Sequence, residues 1–168
     1  MRYLSYFIVF LYIAAAVAAN LLVARLGPWS SPVIAFFLIG MDLSLRDYLH
    51  ERWAARGLAA RMGALITAAG AISYLLNPAS GMIAIASVTA FCAAALVDGA
   101  VYQVLIRRHF LVRSNASNAV GALIDSLLFP TIAFGALLPA IIALQFTMKV
   151  GGGFLWSLAL RRYVGRPA

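Results

Sequence analysis

Acidic residues are scarce in this chain: five among 168, against thirteen lysines and arginines, for a formal net charge of +8. Cysteine occurs once, at Cys92, which excludes an intrachain disulfide and leaves no thiol cluster for a metal. Histidine occurs twice, and His50 and His109 are both expected in loops, without metal-ligand spacing. There is no HExxH, no Gly-rich phosphate loop and no CxxC, so the pattern implies no enzyme, no cofactor and no metal centre. Charge of both signs makes up only 11% of the chain, less than half the roughly 25% of a soluble domain.

What fills the chain instead is hydrocarbon. Apolar residues are 64% of it and the mean hydropathy is +0.96. At about 20 apolar residues per crossing, the length allows roughly six spans with short links. The fold expected is all-α and polytopic: residues 1–168 as one integral membrane domain, with spans near 3–24, 32–48, 62–76, 82–106, 118–138 and 139–160. Met1-Arg2 before a long apolar run resembles a signal peptide. That run is too long for a typical signal core and reads as a retained first span.

The positive charge is not spread as a nucleic-acid patch. It sits in clusters between apolar runs: Arg52, Arg56 and Arg61, then Arg107, Arg108 and Arg113, then Arg161, Arg162 and Arg166. Arg25 stands alone on the opposite side. Under the positive-inside rule this asymmetry predicts cytoplasmic N- and C-termini and a multi-pass protein of the cell inner membrane. Trp29, Trp53 and Trp156 fall near the expected interfaces and read as belt anchors.

Four ionisable groups then stand out inside the spans: Asp42, Asp98, Asp125 and Lys149. A charge at the centre of a bilayer helix costs at least about 2.5–3.5 kcal/mol, so it marks a pathway or a buried pair. Counting residues from the span ends puts all four between the midplane and the cytoplasmic half, on four different helices, as one central layer. Asp42 and Arg46 are four apart and are expected to pair. Asn118 and Asp125 share a face two turns apart, Gln145 and Lys149 are one turn apart, and Asn20 is the strongly polar group of the first span. One lysine and one arginine cannot offset three aspartates, so the surplus acid must carry a proton or face a ligand or water.

Pro130 is expected to kink the fifth span. Gly151-Gly152-Gly153 permits either close helix approach or local unwinding in the sixth. Two halves of three spans would be inverted relative to each other, with Asp42 and Asp125 at corresponding positions. The other spans do not match in this way.

Several of these stretches resemble the VUT family of queuosine precursor transporters. They are Met41-Asp42-Leu43-Ser44-Leu45-Arg46-Asp47, Leu96-Val97-Asp98 with Tyr102 and the basic loop after it, and Arg113-Ser114-Asn115-Ala116-Ser117-Asn118 continuing through Gly121 to Asp125-Ser126. Asn20 and Lys149 also fall where that family has an asparagine in the first helix and a lysine in the sixth.

The resemblance implies uptake of a 7-deazaguanine base: 7-cyano-7-deazaguanine, its aminomethyl analogue or queuine. The substrate-binding set it suggests is Asn20, Asp42, Arg46, Asp98, Asn115, Asn118, Asp125, Gln145 and Lys149. A guanine edge presents adjacent N–H donors that one carboxylate can accept, here Asp125 or Asp98, and a carbonyl oxygen that needs a donor. Phe129 and Phe146 are the candidates for stacking on the base. The expected mode is secondary transport, with protons as a candidate coupling ion that the sequence leaves open along with the choice of monomer or homodimer. The alternative is a substrate-binding membrane component served by a separate ATPase, docked through the small-residue face of Ala14 and Ala18, with Ala15 and Ala19.

Overall fold

The computed structural model describes residues 2–53 and 57–164. Met1, Arg56 and Arg166, and the side chains of Arg161 and Arg162, lie outside the described residues. Every regular element among the described residues is helical. The long helices are α1 (Arg2–Leu26), α2 (31–53), α3 (Leu58–Leu76), α4 (Gly81–Val104), α5 (Phe110–Phe134) and α6 (Pro139–Val164). All six are long and apolar enough to cross a membrane. The shortest, α3, has 19 residues, and at 1.5 Å per residue it covers roughly 28 Å, close to a hydrocarbon core. Six successive passes put both chain ends at the same end of the bundle.

At the opposite end the links are tight. Gly27 takes a positive φ of 79° into the 3-10 turn Pro28–Ser30. Asn77 closes its turn by accepting a hydrogen bond from the Ala79 N–H at 3.2 Å. Gly135, at φ 65°, ends α5, and Pro139 opens α6, where its missing N–H costs nothing. Exposed Trp29 sits at this end, on the rim where an interfacial anchor belongs.

The fifth span departs from the sequence expectation of 118–138. Its helix starts at Phe110 and stops at Phe134. The polar run from Arg113 to Ser117 reads as a loop by composition. It is helical because Ser114 and Asn118 are buried against polar side chains of α2 and α6, and Ser117 is buried with its hydroxyl on the Ser114 carbonyl. His109 caps this helix, its Nδ1 accepting from the Leu111 N–H at 3.4 Å.

His109 thus lies in the link, as expected, but the other histidine does not. His50 is buried in α2, with its Nε2 3.0 Å from the Gln103 amide nitrogen and its ring against Tyr102.

Helix α2 is not regular. Ala35–Ile39 forms a π-helical turn, a feature that tends to occur at functional sites. Beside it, α2 and α6 meet backbone to backbone. A Cβ at Gly152 would stand 2.2 Å from the Phe36 carbonyl oxygen, and one at Gly40 would stand 2.7 Å from the Gly152 carbonyl carbon. The triple glycine thus serves close approach, and α6 runs through it unbroken.

Substituting Gly152→Ala should therefore cost about 1–3 kcal/mol by overpacking and lower the melting temperature of the detergent-purified protein. Gly151→Ala is the control, because its Cβ would meet a Phe36 ring carbon at an ordinary 3.8 Å. Equal melting temperatures for the two variants would contradict this contact.

Candidate functional site

The buried charges do not form one layer. They form two clusters, on either side of the Gly40–Gly152 contact. The cluster nearer the tight links centres on Lys149 of α6, which is 2% exposed. Its ammonium donates to Asp125 Oδ2 at 2.5 Å, to Gln145 Oε1 at 2.9 Å and to Ser126 Oγ at 3.3 Å. Gln145 in turn donates to Ser31 Oγ at 2.8 Å, and Ser31 donates to the Pro28 carbonyl at 2.6 Å. The two α6 residues meet each other because they are one helical turn apart. This chain ties α5 and α6 to the beginning of α2.

The second cluster lies toward the chain termini and centres on Arg46 of α2. Its Nη2 stands 3.2 Å from Asp98 Oδ2 of α4 and donates to Asn118 Oδ1 of α5 at 3.3 Å. Asn118 donates from its amide to Asp47 Oδ2 at 2.9 Å, and the Ser114 hydroxyl donates to the same oxygen. Hydroxyl contacts of 3.3 Å continue from Ser114 to Ser157 and from Ser157 to Ser44. Gly121 permits the approach of α4 to α5 here, since a Cβ on it would be 3.1 Å from Asp98 Cβ. Asn118 and Asp125 do share one face of α5, but their seven-residue separation is about 10 Å along the axis, so each belongs to a different cluster.

The expected Asp42–Arg46 pair is not formed; the guanidinium is engaged by Asp98 and Asn118 instead. Asp42 is 2% exposed, and its Oδ1 is buried with no hydrogen-bond partner. It lies between the clusters, within electrostatic range of both Arg46 and Asp125. Asp98 Oδ1 and Asp125 Oδ1 are also buried without partners. Asp42, Asp47, Asp98 and Asp125 are all buried, against the two buried cations Arg46 and Lys149. The excess of acid is thus two, against the one counted from the sequence.

The remaining sequence candidates divide. Asn20 is buried and lines the same cavity as Gln145, Lys149 and Asp125, while its amide nitrogen donates to Ser73 Oγ at 3.1 Å. Asn115 stands apart from both clusters and donates back to the Leu111 carbonyl of its own helix at 2.7 Å. Phe129 lines the Lys149 cavity and Phe146 does not; Phe91 does, from α4.

Sequence reasoning missed Asp47, Ser31 and Phe91. Asp47 could have been found, since it directly follows Arg46 in the motif. Ser31 and Phe91 carry no signal separable from turn and core residues.

The Lys149 cavity has a volume of about 20 Å³, room for roughly one water. The conformation is therefore closed around this cluster. A second and larger cavity, about 460 Å³, lies between α2, α3 and α4 toward the chain termini, with Arg46 and Asp98 in its wall. No metal-binding group of three or more His, Cys, Asp or Glu occurs among the described residues.

A family comparison matches residues 4–160 to the model described as "Putative vitamin uptake transporter". No curated protein and no solved structure matches the chain. The matched region takes in both clusters and essentially the whole six-helix bundle, and the chain belongs to the vitamin uptake transporter family.

Proposed function

We propose that this transporter imports a 7-deazaguanine base, the queuosine precursors named above, by proton-driven secondary transport into the cytoplasm, where both termini lie. The observation that carries the reading is the order of groups at the Lys149 cluster. Asp125 Oδ1 is buried without a hydrogen-bond partner, Asp125 Oδ2 lies beside it, and Lys149 Nζ lies against Oδ2. Along one edge this is acceptor, acceptor, donor. A guanine-type edge offers the complement: amino N–H, ring N–H, carbonyl oxygen. Two N–H groups on one carboxylate and a lysine on the carbonyl make charge-assisted hydrogen bonds, the strong class.

Phe91 and Phe129, in the wall of the same cavity, supply apolar faces for the ring. Because that cavity now holds only about a water, the base enters when the helices part at the tightly linked end. Asp42, with its unpartnered oxygen between the clusters, is the carboxylate offered to the coupling proton.

The same pair also holds the helices together, so stability and transport must be separated. Removing one partner of a buried ion pair costs about 3–5 kcal/mol, whereas replacing both with neutral groups costs far less. Asp125→Asn and Lys149→Gln should each lower the melting temperature sharply, and the double variant should recover it. Uptake of radiolabelled base should stay absent in the double variant. Recovery of uptake together with stability would show the pair to be structural only.

The edge model also orders ligands. A 7-deaza base lacking the 2-amino group leaves Asp125 one donor short and should bind at least about tenfold more weakly, as buried polar sites reject ligands that leave them unpaired. Equal thermal shifts for the two bases would exclude this edge.

The ATP-driven alternative loses ground in the packing. Ala15 and Ala19, half of its docking face, are buried within the bundle. Reconstituted alone in proteoliposomes, the protein should accumulate the base under an imposed proton gradient and lose accumulation when a protonophore is added. Accumulation only with an added ATPase module would reverse the choice.

A further inference from the structure

The larger cavity has no role in the reading so far. It opens between α3 and α4, which are joined tightly at Asn77–Ser80 and diverge toward the chain termini. Its wall is mostly apolar, with Met62 and Ile66 of α3 against Cys92 and Ala95 of α4. On the α2 side it meets Arg46 and Asp98, both buried. That ion pair is incompletely satisfied: Arg46 Nε and Asp98 Oδ1 are each buried with no hydrogen-bond partner. At about 460 Å³ the space falls within the range of small-molecule sites, and it is over twenty times the volume at Lys149.

A buried, unpaired donor and acceptor belonging to one ion pair call for a ligand that carries both functions side by side. A lactam, with its ring N–H next to its carbonyl, is such a group: the N–H fits the carboxylate and the oxygen fits the guanidinium. The deazaguanine ring contains that lactam. Its flat remainder suits the apolar walls.

We propose that this cavity is a second, inner subsite for the same base, where Asp98 accepts and Arg46 donates after the base has left Asp125 and Lys149. The proposal rests on the deazaguanine reading. It adds that the two clusters are successive stations along the bundle rather than one site. The inner station is a planar heterocycle pocket whose exit lies between α3 and α4, past Gly63 and Gly99.

The chain carries its own probe, because its single cysteine, Cys92, is in the wall of this cavity. Alkylation of Cys92 by a small thiol reagent should slow about tenfold at a base concentration ten times the dissociation constant, following simple occupancy. The protection should persist in the double variant Asp125→Asn/Lys149→Gln, which lacks the outer station. Gly63→Leu should occupy part of the cavity that Gly63 lines, since a Cβ there meets nothing within 4 Å. It should abolish the protection and depress uptake while leaving the melting temperature unchanged.

Uptake of the base by the wild-type protein without protection of Cys92 would overturn the inner subsite and leave the transport reading standing. So would undiminished uptake by a stable Gly63→Leu protein, the result expected if the cavity holds only a lipid chain. Failure of every deazaguanine to be taken up would remove the transport reading itself, and the inner subsite with it.

Discussion

Four buried carboxylates share two buried cations, and the bundle is organised around that shortage. Lys149 and Arg46 each serve several partners at once, so that each cation holds several helices together: Lys149 joins α5 to α6 and, through Gln145 and Ser31, to α2. Arg46 joins α2 to α4 and α5. Lipid tails provide no hydrophobic drive for helices to associate, so interhelical hydrogen bonds and close packing must do it. In this chain the hydrogen bonds come from the charged and amide side chains and the close packing from Gly40, Gly121 and Gly152. A carboxylate left with one oxygen unpaired is expensive in such a setting. Three are retained here, at Asp42, Asp98 and Asp125, which is the physical argument for a ligand or proton rather than a static network.

The membrane character, the number of crossings and the polar residues of the centre were legible in the sequence, because hydropathy and intramembrane charge depend on composition alone. Lys149 with Gln145 was legible too, since helical spacing fixes which side chains share a face. Partners on different helices were not. The Asp42–Arg46 pair was inferred from spacing and lost to Asp98, which is 52 residues away from Arg46 in sequence. Spacing says what can meet within a helix; it cannot say that a better-placed carboxylate arrives from another one.

The boundary of α5 failed for a related reason. A run such as Arg113 to Ser117 is read as water-facing because it is mostly polar. Inside a bundle whose core is itself polar on that side, Ser114, Ser117 and Asn118 are core residues. Ser114 and Asn118 meet Asp47, and Ser114 meets Ser157, as completely as leucines would meet leucines elsewhere. The π-helical turn in α2 carries no compositional signature at all: Ala35-Phe36-Phe37-Leu38-Ile39 reads as ordinary helix.

The backbone contact of Gly40 and Gly152 lies between the two clusters, with Gln145 and Lys149 on one side of it along α6 and Ser157 on the other. Hydrogen bonds flank this contact on both sides, Gln145 to Ser31 and Ser44 to the Gly153 carbonyl, so it acts as a rivet between α2 and α6. The larger cavity lies among α2, α3 and α4, with no residue of α6 in its wall. Room there is set by where α3 and α4 stand against α2, not by the spacing of the riveted pair.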